Sequence, residues 1–151
     1  MQFDSVSAII EEDVSIGDGS MIWYFAHLME GVKLGLNCSI GEKTFLGKGV
    51  IIGDDVRIGN SVNIYDGAII KNRVFIGNNT SFTNVRTPRI GKPSKFLDTI
   101  VEDDVSIGAN ATIVAGVKLG KGCVIADGAV VVGNIPPMSF AHGNPARIKI
   151  R

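Results

Sequence analysis

Several things are scarce in this chain of 151 residues, and each scarcity removes a class of protein. There are two cysteines, Cys38 and Cys123, and neither has a neighbour at metal-ligand spacing, so neither a disulfide framework nor a zinc knuckle is expected. The two histidines, His27 and His142, are too few for a three-histidine zinc centre, and no metal is expected. Charge of one sign is lacking too, since fifteen basic residues balance fifteen acidic ones. Neither nucleic acid nor a membrane surface is therefore expected to be held by bulk charge. No apolar run reaches the length of a membrane span, and MQFDSVSAIIEEDV has no basic stretch leading into an apolar one, which reads as a cytoplasmic protein.

What is present is a period. From Ile40 to Ile76 an aliphatic residue falls on every sixth position (Ile40, Leu46, Ile52, Ile58, Ile64, Ile70, Ile76), usually followed by Gly, with a small or β-branched residue four places later. The phase extends back to Ile10 and forward to Phe82, then resumes at Val101 and runs through Ile107, Ile113, Leu119 and Ile125 to Val131. A period of six is neither helical nor alternating; it predicts an all-β parallel β-helix with three short strands per triangular coil and roughly eighteen residues per turn. Each coil covers its aliphatic triplet only when neighbours stack above and below, and burying one such side chain is worth roughly 1.5–3 kcal/mol. The cysteines sit at the inward small-residue position, four places after Leu34 and Leu119, so both are expected to be buried thiols, with a catalytic thiol as the other reading.

The expected organisation is one domain over residues 1–151, following a lead-in over residues 1–9. About six coils cover residues 10–82 and 101–136, a loop leaves the helix over 83–100, and a short tail occupies 137–151. The loop carries two prolines and the cations Arg86, Arg89, Lys92 and Lys95, a solvated excursion that could also meet an anion. Pro136 and Pro137 are expected to stop the coil. Within GNSVNIYDG, Asn60, Asn63, Tyr65 and Asp66 replace the simple corner pattern, either as turn formers or as polar groups projecting together from one coil. His27 is the only histidine in the repeat body, and is either an outward packing residue beside Trp23 and Phe25 or a base.

The hexads together with IYDGAI, the FTN segment with the following Pro88 and Arg89, and the closing GNPAR resemble the hexapeptide-repeat acyltransferases. More narrowly they resemble bacterial N-acetyltransferases of nucleotide-linked amino sugars in surface-polysaccharide biosynthesis. The resemblance implies a left-handed helix, against the usual right-handed crossover. It also implies acetyl-CoA as donor, a dTDP- or UDP-linked amino sugar as acceptor, and a homotrimer with sites between subunits. Trp23, Tyr24 and Phe25 on outer faces would suit such an assembly.

On that likeness Asn60 falls beside the reacting amine, with Asn63, Tyr65, Phe82 and Asn84 around the acceptor and Arg86 and Arg89 on its diphosphate. The pantetheine arm would pass Gly108, Ala109, Ala115 and Ala126, with His142, Asn144 and Arg147 at the nucleotide end. Such enzymes often dispense with a dedicated base, so the leaving thiolate would take the amine proton while His27 and Asp66 tune the site. An O-acetyltransferase acting on a sugar or serine-like hydroxyl is the alternative. A γ-carbonic-anhydrase-like metal enzyme is a further, less favoured alternative, since its three-histidine zinc site needs more histidines than this chain has, and an ice-binding helix would show regular Thr or Ser ladders.

Overall fold

The computed structural model describes residues 3–4 and 7–150. The expected lead-in over residues 1–9 thus lies partly outside the described residues, as does Arg151. Among the described residues there is no helix, and so none long and apolar enough to cross a membrane. Strands, mostly of two residues, form three sheets of nine, seven and six strands. They are the sides of a left-handed parallel β-helix of about seven turns.

Strands in register lie one coil apart. Met21 pairs with Ser39, Ser39 with Arg57 and Arg57 with Phe75 on the nine-stranded side. The aliphatic hexad positions from Ile22 to Val131 are buried in a single continuous core, as the period requires. Between strands the chain turns through corners whose third residue takes the left-handed conformation, with φ between 54° and 62° at Asp13, Asn37, Asp55 and Asn79. Asn and Asp tolerate that region best. Cys38 and Cys123 are both buried, and burial pushes the Cys38 thiol above its ordinary pKa.

The corners contain a repeated two-residue device. Their early backbone N–H groups project along the helix axis and need an acceptor. An Asn or Asp of the next coil supplies it: Leu36 N–H donates to Asp54 Oδ1 (2.8 Å), Glu42 N–H to Asn60 Oδ1 (2.8 Å), Lys48 N–H to Asp66 Oδ1 (2.9 Å), and Ala109 N–H to Asp127 Oδ1 (2.8 Å). In each case the preceding residue is Gly (Gly35, Gly41, Gly47, Gly108), because a Cβ there would overlap that same Oδ1. In these four coils the glycine after the inward aliphatic and the Asn or Asp of the next coil are therefore two halves of one contact.

Three expectations change. There are about seven turns rather than six, because the helix reaches beyond residues 10–136 at both ends: Phe3–Asp4 already pairs with Met21–Ile22, and Ser139–His142 still pairs with Val124–Ile125. The loop is shorter than 83–100, since Thr99–Val101 is a strand in register with Ala68–Ile70. Nor do Pro136 and Pro137 stop the coil. Ile135 still bridges Leu119, and Ser139–His142 adds a parallel strand beside Val124–Ile125. In earlier coils the N–H groups at these two corner positions reach the following coil, as Gly35 does to Ile52 and Leu36 to Asp54. No coil follows here among the described residues, so proline forfeits nothing. The chain then reverses, and Arg147–Ile150 pairs antiparallel with Ser139–His142.

Candidate active site

The outward row of the seven-stranded side reads Ile9, His27, Phe45, Asn63, Ser81, Thr112 and Val130, each in register with the next. The eighteen-residue coil thus places His27 directly above Phe45 and Phe45 above Asn63. The His27 ring stands edge-on to Phe45 at 5.5 Å and 74°, and Phe45 packs on Tyr65 at 5.4 Å. His27 Nε2 lies 2.7 Å from Glu11 Oε1, and Glu11 Oε2 accepts Glu30 N–H at 3.0 Å. The hydrogen bond from His27, then that from Glu30, hold the Glu11 carboxyl below the usual carboxylate range. Glu30 in turn pairs with Lys48 at 3.0 Å. Glu11, Glu12 and Glu30 line a hollow of about 290 Å³ beside this strip.

The structure separates the residues expected within GNSVNIYDG. Asn60 stands at the corner before the seven-stranded side, Asn63 on that side, and Tyr65 and Asp66 at the corner after it. Asn60, expected beside the reacting amine, and Asp66, expected to tune the site, present their Oδ1 atoms to Glu42 and Lys48 N–H as corner contacts. Asn63 and Tyr65 remain on or beside the row that carries His27.

Phe82, expected to contact the acceptor, is 1% exposed and belongs to the core. It occupies a hexad position in register between Ile64 and Ile113, where only an inward apolar side chain fits. Asn84 marks the neck of the excursion, its carbonyl accepting Leu97 N–H at 2.9 Å. Arg86, expected on a diphosphate, is folded onto the helix: Nε donates to Ala115 O (3.2 Å) and Nη2 to Val132 O (3.3 Å). Two backbone carbonyls at one corner thereby capture its planar fork. Arg89, Lys92 and Lys95 are exposed.

The expected donor residues divide as well. Gly108, Ala126 and His142 stack in register at the corner after the nine-stranded side, with Ala109 beside Gly108. Ala115 lies at a different corner and is fully buried, its carbonyl taken by Arg86, so its side chain is closed to a ligand. At the foot of the column His142 stacks on Phe140 (5.6 Å, 24°) and is the cross-strand partner of Arg147, with Asn144 in the turn between them. Trp23, Tyr24 and Phe25 head this corner rather than lying on a face. Phe25 holds its ring outward in the left-handed conformation (φ 61°), which is uncommon for a bulky residue. A second cavity, about 430 Å³, opens at the C-terminal end between Lys118, Lys121, Asn134 and Pro136, with Glu102 bridging Lys71 and Lys118. Among the described residues no group of three His, Cys, Asp or Glu is arranged to hold a metal ion.

Glu11 and Phe45 escaped the sequence reading. The coil period was the available signal, because it puts Phe45 one turn from His27 and Glu11 two residues short of a turn.

Comparison with known proteins agrees with this layout. The family described as bacterial transferase hexapeptide (six repeats) matches residues 49–84 and 98–133, leaving out the excursion, and the hexapeptide repeat of succinyl-transferase matches residues 7–42. The 2,3,4,5-tetrahydropyridine-2,6-dicarboxylate N-acetyltransferase of Clostridium perfringens is 55% identical over 56 residues, 37% of this chain and 23% of that protein. The chain spans about a quarter of the length of the curated relatives it matches. A hexapeptide-repeat-containing acetyltransferase of Vibrio cholerae is similar with a TM-score of 0.70 at 29% identity, over 89% of this chain and 72% of that one. Its complex with acetyl coenzyme A gives 0.62 at 28% identity, over 79% and 69%.

Proposed function

The chain belongs to the family of bacterial transferases built from hexapeptide repeats, and on that premise we propose that it is an acyltransferase moving an acetyl group from acetyl-CoA to an amine. One observation carries the reading. The corner column that runs beside the row bearing His27, Phe45 and Asn63 is small and part-exposed at Ala109 and Ala126, whereas the space at Gly59, Gly77 and Gly108 is taken by Asn78, Ala109 and Asp127 of the next coil. An extended arm with two amides can lie flat along such a column. The Phe140–His142 stack then offers a platform to an adenine ring and Arg147 a charge to a phosphate. The resulting thioester would lie within reach of an acceptor on the aromatic strip.

The acceptor on this reading is the amino group of a nucleotide-linked amino sugar. Support comes from the exposed aromatic Tyr65 with Asn63 beside it, and from the exposed cations of the excursion. With Arg86 engaged on the helix, Arg89 is the residue left for a diphosphate. Arg89→Ala should raise the acceptor KM at least about tenfold, the effect of losing one charge-assisted hydrogen bond of roughly 1.5–3 kcal/mol, and leave the acetyl-CoA KM unchanged. An unaltered acceptor KM would make the loop a bystander. The working unit is a homotrimer with shared sites, a reading supported by Tyr24, Phe25 and Phe75, which are 46–63% exposed.

The high local identity to the tetrahydropyridine-dicarboxylate enzyme favours a second acceptor class, a small dicarboxylate with an acylable nitrogen. Thiol release from acetyl-CoA against a panel of dTDP- and UDP-amino sugars and such dicarboxylates decides between them. Release with an amino sugar supports the first reading, release with a dicarboxylate alone supports the second, and no release with any acceptor removes the acyltransferase assignment.

A further inference from the structure

The cavity at the C-terminal end lies away from the donor column, the aromatic strip and the excursion. Three sheets bound a triangular section, so the corner between the six- and nine-stranded sides faces away from the seven-stranded side that carries His27. The cavity opens at that corner with a volume of about 430 Å³, and Gly120, Ile135, Pro136 and Pro137 form its apolar wall. The prolines close on Gly120 because that residue has no side chain, since a Cβ there would overlap Pro136 and Pro137. Neither proline carries an N–H, so they add no backbone donor to the wall.

The free polar groups of the cavity are all donors. Asn134 Oδ1 accepts Lys118 N–H at 2.8 Å, which leaves the Asn134 amide N–H groups without a partner among the described residues. Glu102 is the one acid in the lining, and it is shared between two ammonium groups, Lys71 at 2.7 Å and Lys118 at 3.3 Å. Lys121 makes no ion pair among the described residues, and the acids of the same corner, Asp103 and Asp104, are held by Arg73 at 3.7 and 2.7 Å. Positive charge thus exceeds negative charge beside an apolar wall.

We infer that this cavity is a second ligand site, separate from the acyl-transfer site, that takes a small organic anion: a carboxylate or phosphate head on Lys121, Lys118 and the Asn134 amide, and an apolar body against Ile135, Pro136 and Pro137. Its volume lies within the roughly 300–1,000 Å³ of small-molecule sites. Lysine is a compact point charge that serves either head, and the amide adds a fixed direction. A neutral ligand would leave the ammonium groups unanswered, and a bare inorganic anion would leave the apolar wall in water. The ligand is bound and not transformed, and the site stands on binding alone, without the acyltransferase reading.

The test is isothermal titration calorimetry on the full chain with benzoate, phenyl phosphate, inorganic phosphate and benzyl alcohol. Benzoate or phenyl phosphate should bind saturably at about 1 mM or tighter, an affinity that about ten non-hydrogen atoms can carry, and the tighter of the two identifies the head group. Inorganic phosphate lacks the apolar body and benzyl alcohol the charge, so each should bind at least about tenfold more weakly. Asn134→Asp keeps the oxygen that serves Lys118 N–H but replaces the free amide donors with negative charge, and should weaken the anion at least about tenfold. Lys121→Met keeps the stem without the charge and should do the same, whereas Lys95→Met in the excursion should change nothing. Both cavity positions are exposed, so thermal midpoints should match wild type. Saturating CoA should leave the anion in place. The proposal is overturned by no saturable binding, by equal binding of benzyl alcohol or inorganic phosphate, by wild-type affinity in both cavity variants, or by displacement with CoA. Failure of thiol release with every acceptor would remove the acyltransferase reading and leave this site untouched.

Discussion

Phe82→Ala should destabilise the fold by about 3–5 kcal/mol, the range for removing a buried aromatic side chain that leaves a cavity. Phe82 is among the largest of the fully buried side chains and stands in register between Ile64 and Ile113. It is also the last inward residue before the chain leaves the helix at Asn84. Its ring fills the coil at the point where continuity along the chain is lost and only stacking remains. Chemical denaturation followed by circular dichroism measures the change. Phe96→Ala, in the exposed part of the excursion, serves as the comparison and should shift stability by no more than about 0.5 kcal/mol. If Phe82→Ala left the midpoint alone and raised the acceptor KM instead, the residue would line the acceptor site after all.

The second large effect is expected at a residue without a side chain. In Gly41→Ala the new Cβ would meet the Gly59 carbonyl and Asn60 Oδ1, all belonging to the next coil. Backbone cannot step aside as a flexible side chain can, so two coils must part and the Glu42 N–H to Asn60 contact must lengthen. A cost of about 3 kcal/mol or more is expected, at or above the upper end of ordinary overpacking. Gly49→Ala separates this crowding from simple backbone strain. Gly49 has φ of 70° but nothing within 4 Å of an added Cβ, so its penalty should be only the left-handed strain of about 1–2 kcal/mol. Equal losses at the two positions would show that coil spacing yields and that the corner Oδ1 atoms are not fixed.

The repeat was legible because every inward aliphatic obeys one period, and burial along the core follows that period from Ile22 to Val131. Phe82 obeyed it too. The FTN likeness drew it into the site, although its hexad position already marked it as core. Asn60 and Asp66 are turn residues by type, but their partners Glu42 and Lys48 lie eighteen residues earlier, and a corner read along the chain does not show what stacks on it. The Glu11–His27 pair was hidden for the same reason, at a separation of sixteen. Arg86 shows a different limit: a guanidinium in a basic loop reads as an anion ligand, and only the folded chain reveals two carbonyls facing it. Pro136 and Pro137 are strand breakers by type, but among the described residues their corner N–H groups would have had no following coil to reach.

The reversal at the end of the nine-stranded side bears on self-assembly. A solenoid grows by adding identical rungs, and a bare parallel rung is a template for another molecule's first coil. Among the described residues the outermost strand on that side is Arg147–Ile150, which runs the opposite way and carries Arg147 and Lys149. An arriving parallel rung would find the wrong polarity and a pair of like charges. Reversed strand direction at that rung disfavours continuing the parallel ladder on that side, in a fold whose own logic is open-ended.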